Sequence, residues 1–200
     1  MRLFFHILLF IGILLPATAI GQTATYRVSV GRFNVGEQTV NQMCNGDTLK
    51  VSVDSEVKVY VGFTNIVTYQ QNSTYYKGYL LKSQVTVKRN GTVQSECKTQ
   101  WNGKFYTIIL DGKVSKYHKL IRSSGTLLYF AQPNKNQEVY SESDGKMKFI
   151  SQKASGVYEM THPEEKTKNT YEYKDGILQK TTIHHPLISF STVLLKYQDQ

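Results

Sequence analysis

Glu142 and Asp144 stand two residues apart in the stretch Val139-Tyr-Ser-Glu-Ser-Asp-Gly145. Two carboxylates flanking a bond are the machinery of glycoside hydrolysis, but they need a defined separation in space, which closeness along the chain cannot supply. Glu142 precedes an Asp-Gly pair and Asp144 is part of it, so both read as turn chemistry. The histidines after the N-terminal segment are His118, His162, His184 and His185. Adjacent histidines on a strand point to opposite faces, so His184 and His185 do not chelate together. His162-Pro-Glu-Glu165 reads as a solvated loop. No His-Glu-x-x-His helix and no Gly-x-Ser-x-Gly elbow is present, so no metal, no cofactor and no catalytic residue is assigned.

The cysteines are Cys44 and Cys97. In an exported chain a pair is often oxidised, and a bridge closing so long a loop would be worth about 4 kcal/mol. Several turns separate them, so a disulfide and two free thiols both stay open. The tyrosines are more suggestive. Tyr60, Phe63, Tyr69, Tyr75, Tyr76 and Tyr79 cluster in consecutive apolar-polar segments, and Tyr106, Tyr117, Tyr129, Phe130, Tyr140, Phe149 and Tyr158 continue the theme. An apolar ring with a polar tip suits a cleft for lipid or sugar, and it equally suits the filling of a β core. Tyr69, Tyr75 and Tyr79 share parity, which makes them the candidates for lining a ligand cavity.

The elements that must position these groups follow from periodicity. Leu49, Val51, Val53, Val57 and Val59 fall on one face of an extended segment, and Lys50, Ser52, Asp54, Glu56 and Lys58 on the other. Tyr26, Val28 and Val30 alternate in the same way. Asn45-Gly46, Asn90-Gly91, Asn102-Gly103, Asp111-Gly112, Asp144-Gly145 and Asp175-Gly176 punctuate such segments with pairs that tolerate the positive φ of tight hairpins. The expected strands are 24–31, 35–43, 47–60, 65–76, 78–89, 92–100, 104–110, 113–119, 137–142, 146–152, 156–161, 168–174, 177–184 and 190–197. Residues 121–136 break the pattern and read as a crossover, with Thr126–Ala131 a short helical turn or a buried strand. The fold class is all-β, an antiparallel meander curled into a barrel, half-barrel or sandwich. A lipid-spanning barrel fits less well, because Lys and Glu stud the polar faces and the chain ends on Tyr197-Gln-Asp-Gln200.

The first residues give an address. Met1-Arg2, an apolar run from Leu3 to Leu15 and Pro16-Ala-Thr-Ala-Ile-Gly21 form a secretory signal peptide, too short for a membrane span of about 20 apolar residues. Cleavage fits after Ala19 or, preferably, after Gly21, leaving residues 22–200 as one β domain with no transmembrane segment. Removing Arg2 lowers the formal charge from +9 by one. Lys and Arg are dispersed rather than massed, which argues against nucleic acid and, on an exported chain, suits anionic envelope neighbours.

Tyr26-x-Val28-x-Val30, Val35-Gly36, Tyr76-Lys-Gly-Tyr-Leu80, Leu128-Tyr-Phe130 with Pro133, Val139-Tyr-Ser-Glu142 with Gly145-Lys146, Tyr171-x-Tyr173-Lys-Asp-Gly-Ile177 and Ile183-x-His185 follow one another in that order. The series resembles a family of secreted bacterial β-rich proteins classed as a domain of unknown function, of the Gram-negative envelope type. It is more distantly similar to a second such family. The resemblance covers nearly all of the chain after the leader and implies a fold and an address, with no catalytic residue to carry over. The role expected is non-catalytic binding of an apolar or amphiphilic envelope molecule, a lipid or a glycan, on a curved sheet. The alternatives are an enzyme acting on envelope glycan or lipid, and an assembly factor binding an envelope protein at the outer membrane.

Overall fold

A computed structural model of the protein describes residues 20–161, 168–184 and 189–199, and of Val61 the backbone alone. Residues 1–19, the expected solvated loop His162-Pro-Glu-Glu165 and His185 lie outside the described residues. The strands are β1 (Ile20–Val30), β2 (Phe33–Asn45), β3 (Thr48–Val61), β4 (Phe63–Tyr76), β5 (Tyr79–Arg89), β6 (Thr92–Trp101), β7 (Tyr106–Leu110), β8 (Lys113–Tyr117), β9 (Asn136–Ser141), β10 (Lys146–Ala154), β11 (Val157–Thr161), β12 (Lys168–Lys174), β13 (Ile177–Ile183) and β14 (Phe190–Asp199). They form one 14-stranded antiparallel sheet in the order β8-β7-β6-β5-β4-β3-β2-β1-β14-β13-β12-β11-β10-β9. Every expected strand has its counterpart, and the meander is interrupted only where β1 pairs with β14.

Hairpin chemistry explains this order. At Asn90-Gly91, Asp111-Gly112 and Asp175-Gly176 both residues have positive φ, the conformation that two-residue hairpin turns demand. Lys77-Gly78 does the same without an Asn or Asp, placing Lys77 at φ 48°.

The sheet is not closed. Its edges are β8 and β9, and the chain between them turns inward instead of running over the surface. Leu80 N–H donates to Ile121 O at 2.9 Å, and Tyr140 N–H donates to Ser123 O at 2.9 Å. A 3-10 helix, η1 (Gly125–Tyr129), then packs against β3, β9 and β13. The crossover expected at 121–136 is therefore a plug around which the sheet curls. The Asp144-Gly145 turn completes the curl: a Cβ on Gly145 would stand 2.6 Å from Ile108 on β7, so the β9–β10 hairpin is seated against the far side of the sheet.

The interior is rich in tyrosine. Tyr26, Tyr75, Tyr106, Tyr140 and Tyr158 are among the largest fully buried side chains, beside Val40, Val51, Val53, Leu80 and Ile150. Burial of a phenol is tolerable only with a partner for its hydroxyl. Tyr26 donates to Leu178 O at 3.1 Å and Tyr106 to Leu80 O at 2.8 Å. Tyr140 shares a 2.6 Å bond with Thr99, and Tyr158 accepts from Gln132 at 2.8 Å. Of the aromatics noted in the sequence, Tyr75, Tyr106, Tyr140 and Tyr158 thus fill the core, whereas Tyr60, Phe63 and Phe149 are exposed. Val51 and Val53 are buried while Lys50 is exposed, which fixes the register of β3.

Candidate functional site

Glu142 is the buried acid of the interior, 2% exposed. It follows β9 and faces the start of η1. Its Oε2 accepts from Gly125 N–H at 3.0 Å, and its Oε1 accepts from Thr126 N–H at 3.4 Å and the Thr126 hydroxyl at 2.8 Å. Tyr75, from β4, adds its hydroxyl to Oε1 at 3.2 Å and also bonds Ser124 and, at 2.6 Å, Thr126. Burial, and then the neighbouring Glu142, hold the Tyr75 phenol well above its ordinary pKa. This cluster clamps the plug to both halves of the sheet. Asp144 does what its sequence context implies: it accepts from Lys146 N–H at 3.1 Å and pairs with Lys148 at 2.7 Å. The two carboxylates therefore serve different structures, and the oxygens of Glu142 are occupied by donors of the chain itself.

The cysteines are both free. Cys44 is exposed at the end of β2 and Cys97 is buried on β6. The strands β3, β4 and β5 lie between them, and the two thiols are unbonded in this structure. Burial pushes the Cys97 thiol up to about 11. His118 packs on the Phe105 ring at 5.6 Å, and the His184 backbone N–H donates to Asn169.

Tyr69, Tyr75 and Tyr79 do not share one surface. Tyr69 and Tyr75 lie on the inner parity of β4. The two-residue turn Lys77-Gly78 sets Tyr75 opposite Leu80 and Tyr76 opposite Tyr79, so Tyr79 falls on the other face, its ring 6.4 Å from that of Tyr76. Tyr75 belongs to the clamp. Tyr69 alone of the three is half-buried on the inner face.

Around Tyr69 the inner face changes character. Toward the β3–β4 turn the inner row carries Val57 and Val59 on β3, Val67 on β4 and Val87 on β5, all half-buried where the same parity farther along is sealed. Val67 sits opposite Val57, and Val87 opposite Tyr69. Tyr129 and Tyr171 lie in the same part of the interior, Tyr129 close enough to both Tyr69 and Tyr171 to raise their phenols further than burial alone, and all three rings are half-buried. Burial raises the Tyr129 phenol to about 12 and lifts Tyr69 and Tyr171 in the same direction. Gln38 donates to the Tyr129 hydroxyl at 2.9 Å, and the Tyr69 hydroxyl donates to Gln71. At the rim Arg89 donates to buried Asn65 at 2.7 Å. This part of the inner face thus gathers half-buried valines, phenols and amides, with Arg89 exposed at the end of β5. An open cleft of about 380 Å³ crosses β1–β4 nearer the opposite end, with Asn41, Lys50, Ser52 and Asn72 in its lining.

The sequence of this chain matches the domain of unknown function DUF6134 over residues 26–195. The chain belongs to that family. No curated protein matches it. Among solved structures it is similar to the crystal structure of a beta-barrel-like protein of domain of unknown function DUF1849 from Brucella abortus, at a TM-score of 0.62 and 10% identity, over 90% of this chain and 98% of that one. That likeness is one of fold: a barrel-like sheet, as the DUF6134 chain shows here. Among the described residues no helix is long and apolar enough to cross a membrane.

The sequence singled out Tyr69 but missed its group with the half-buried valines, because Val67 and Val87 carry no mark that separates a half-buried valine from a core one. It also missed Glu142 as an anchor, whose partners Gly125 and Thr126 belong to a segment of undecided structure.

Proposed function

We propose that this DUF6134 protein is exported, loses residues 1–21, and binds an apolar or amphiphilic envelope molecule without catalysis on the inner face of its curled sheet. The observation that carries the reading is the half-buried row Val57, Val59, Val67 and Val87 beside Tyr69, since apolar surface turned inward and left uncovered is what an apolar ligand would cover. Arg89 at the end of β5 suits an acidic head group. Cleavage after Gly21 is compatible with the sheet, because Gln22 still pairs with Gln42 and Asp199.

The test is binding of a fluorescent fatty acid by the exported protein, by Val67→Asp and by Tyr69→Ala, with melting followed in parallel. Val67→Asp should abolish binding and cost only about 1 kcal/mol, because Val67 lies near the end of the β4–β5 ladder and is not sealed in the core. Failure of the parent to bind any lipid-like probe would overturn the reading and favour a protein partner.

A further inference from the structure

The β3–β4 hairpin outruns its neighbours. Pairing of β3 with β2 stops at Val57 opposite Gly36, and pairing of β4 with β5 stops at Val67 opposite Arg89. The two strands nevertheless stay paired with each other to Val61 opposite Phe63. Residues 58–66 thus project about 13 Å at the usual rise per residue. The base of the projection is fixed: Asn90 N–H donates to Ile66 O, and Ile66 N–H donates to the Asn90 side chain, both at 2.8 Å. Asn65 is buried between Arg89 and the Phe63 carbonyl.

The projection ends in large apolar side chains. Tyr60 is 78% exposed and Phe63 58%. At the same end of the sheet, beside the β1–β2 and β5–β6 turns, Phe33 and Val93 are also exposed. Scattered exposed apolar residues need no explanation, but two exposed aromatic rings, one on each face of a projecting hairpin tip, do. The charge around them has one sign. Residues 31–35, 58–66 and 89–93 contain Arg32, Lys58 and Arg89 and no Asp or Glu. Glu56 stands behind the tip and reaches Lys58 at 3.6 Å, a solvent-exposed pair of little weight.

We propose that this tip docks the protein on an anionic phospholipid surface, with Tyr60 and Phe63 entering the head-group region and Arg32, Lys58 and Arg89 neutralising lipid phosphates. Tyrosine is at home in that region because its ring is apolar and its hydroxyl stays wet. Cations near an anionic surface strengthen binding by about fivefold each. The proposal shares Arg89 with the reading above but needs no ligand inside the sheet.

The test is flotation of the exported protein, its N-terminus established by sequencing, with vesicles of phosphatidylcholine alone and with added phosphatidylglycerol. The parent should float with the anionic vesicles, far less with the neutral ones, and less again in high salt, which screens the attraction. Tyr60→Ser with Phe63→Ser should lower partitioning about tenfold or more at an unchanged melting temperature, since these exposed rings support no core. Lys58→Glu should lower it on anionic vesicles only. Equal flotation of parent and tip variant, or no flotation of the parent, would overturn the proposal. A parent that self-associates through Tyr60 and Phe63 in the absence of lipid would overturn it in favour of a second copy of the chain.

Discussion

Replacing Glu142 by Ala removes the acceptor that holds the plug. The Thr126 backbone N–H, at 3.4 Å from the carboxylate, would then be buried without a partner, and the half-buried Gly125 N–H, at 3.0 Å, would lose its own. The Tyr75 and Thr126 hydroxyls can still bond each other and Ser124, so their loss is partial. Two orphaned donors cost about 1–3 kcal/mol each, and the relieved desolvation of the carboxylate offsets part of that, leaving about 3–4 kcal/mol. Glu142→Gln keeps the shape and one acceptor oxygen but turns an N–H₂ toward one donor, so about 2 kcal/mol is expected. Urea unfolding would read this as a midpoint lowered by more than about 1 M for the Ala variant at unchanged slope. Hydrogen exchange would read it locally, as earlier loss of the Leu80 and Tyr140 amide protons that bond Ile121 and Ser123. An Ala variant within about 0.5 kcal/mol of the parent, or loss of protection spread evenly over the sheet, would refute the reasoning that the carboxylate fastens the plug.

Val53→Asp should unfold the protein or cost several kcal/mol, because Val53 is 1% exposed, while Lys50→Asp on the outer face should be mild; equal effects in chemical denaturation would mean the register of β3 is wrong. Buried Tyr26, Tyr75, Tyr129 and Tyr140 have phenols raised above their ordinary pKa. Their contribution to stability is full below about pH 10, where the unfolded tyrosines titrate, and is lost as pH climbs toward the folded values. Phenolate absorbance should therefore appear for these residues together with unfolding, and smooth titration of all tyrosines in a folded protein would contradict this. At mildly alkaline pH Cys44 should react with a thiol reagent in the folded state and Cys97 only on unfolding, and equal rates or no reaction at either would be inconsistent with one exposed and one sealed thiol.

The sheet was legible because its signals are local. Alternation through Leu49–Val59 sorts residues by face without reference to any other strand, and each Asn-Gly or Asp-Gly pair declares a hairpin where it stands. The site was legible only in pieces, because its signals are long-range. Whether Tyr69 stays half-buried and Tyr75 is sealed depends on where η1 lies, and the sequence leaves Thr126–Ala131 open between the short helical turn that forms and a buried strand. Tyr79 shows how a single turn decides a face: shared parity with Tyr75 holds along a strand but is reversed across the two-residue turn Lys77-Gly78. Glu142 was legible as polar and turn-adjacent, yet its meaning comes from Gly125 and Thr126, which pair with it only once the two edges of the sheet have been brought together.

The pairing of β1 with β14 sets Gln22 opposite Asp199, with the Gln22 side chain donating to the Asp199 carboxylate at 3.0 Å. Two ends of the sheet that are neighbours in space can be joined by a short peptide and the chain reopened at an exposed turn such as Asn90-Gly91, giving a circular permutant with the same ladder. In that permutant β14 and β1 would become an ordinary hairpin, and the contact of greatest sequence separation in the sheet would turn local. The cut makes β5–β6 the long-range pairing instead, so the permutant exchanges one seam for another: closure of β1 on β14 becomes a local event, while mean contact separation, which sets folding rate, stays nearly the same. Reopening instead between β8 and β9 would sever the plug, which binds the edges across the interior, and a permutant cut there would have to curl without its centre.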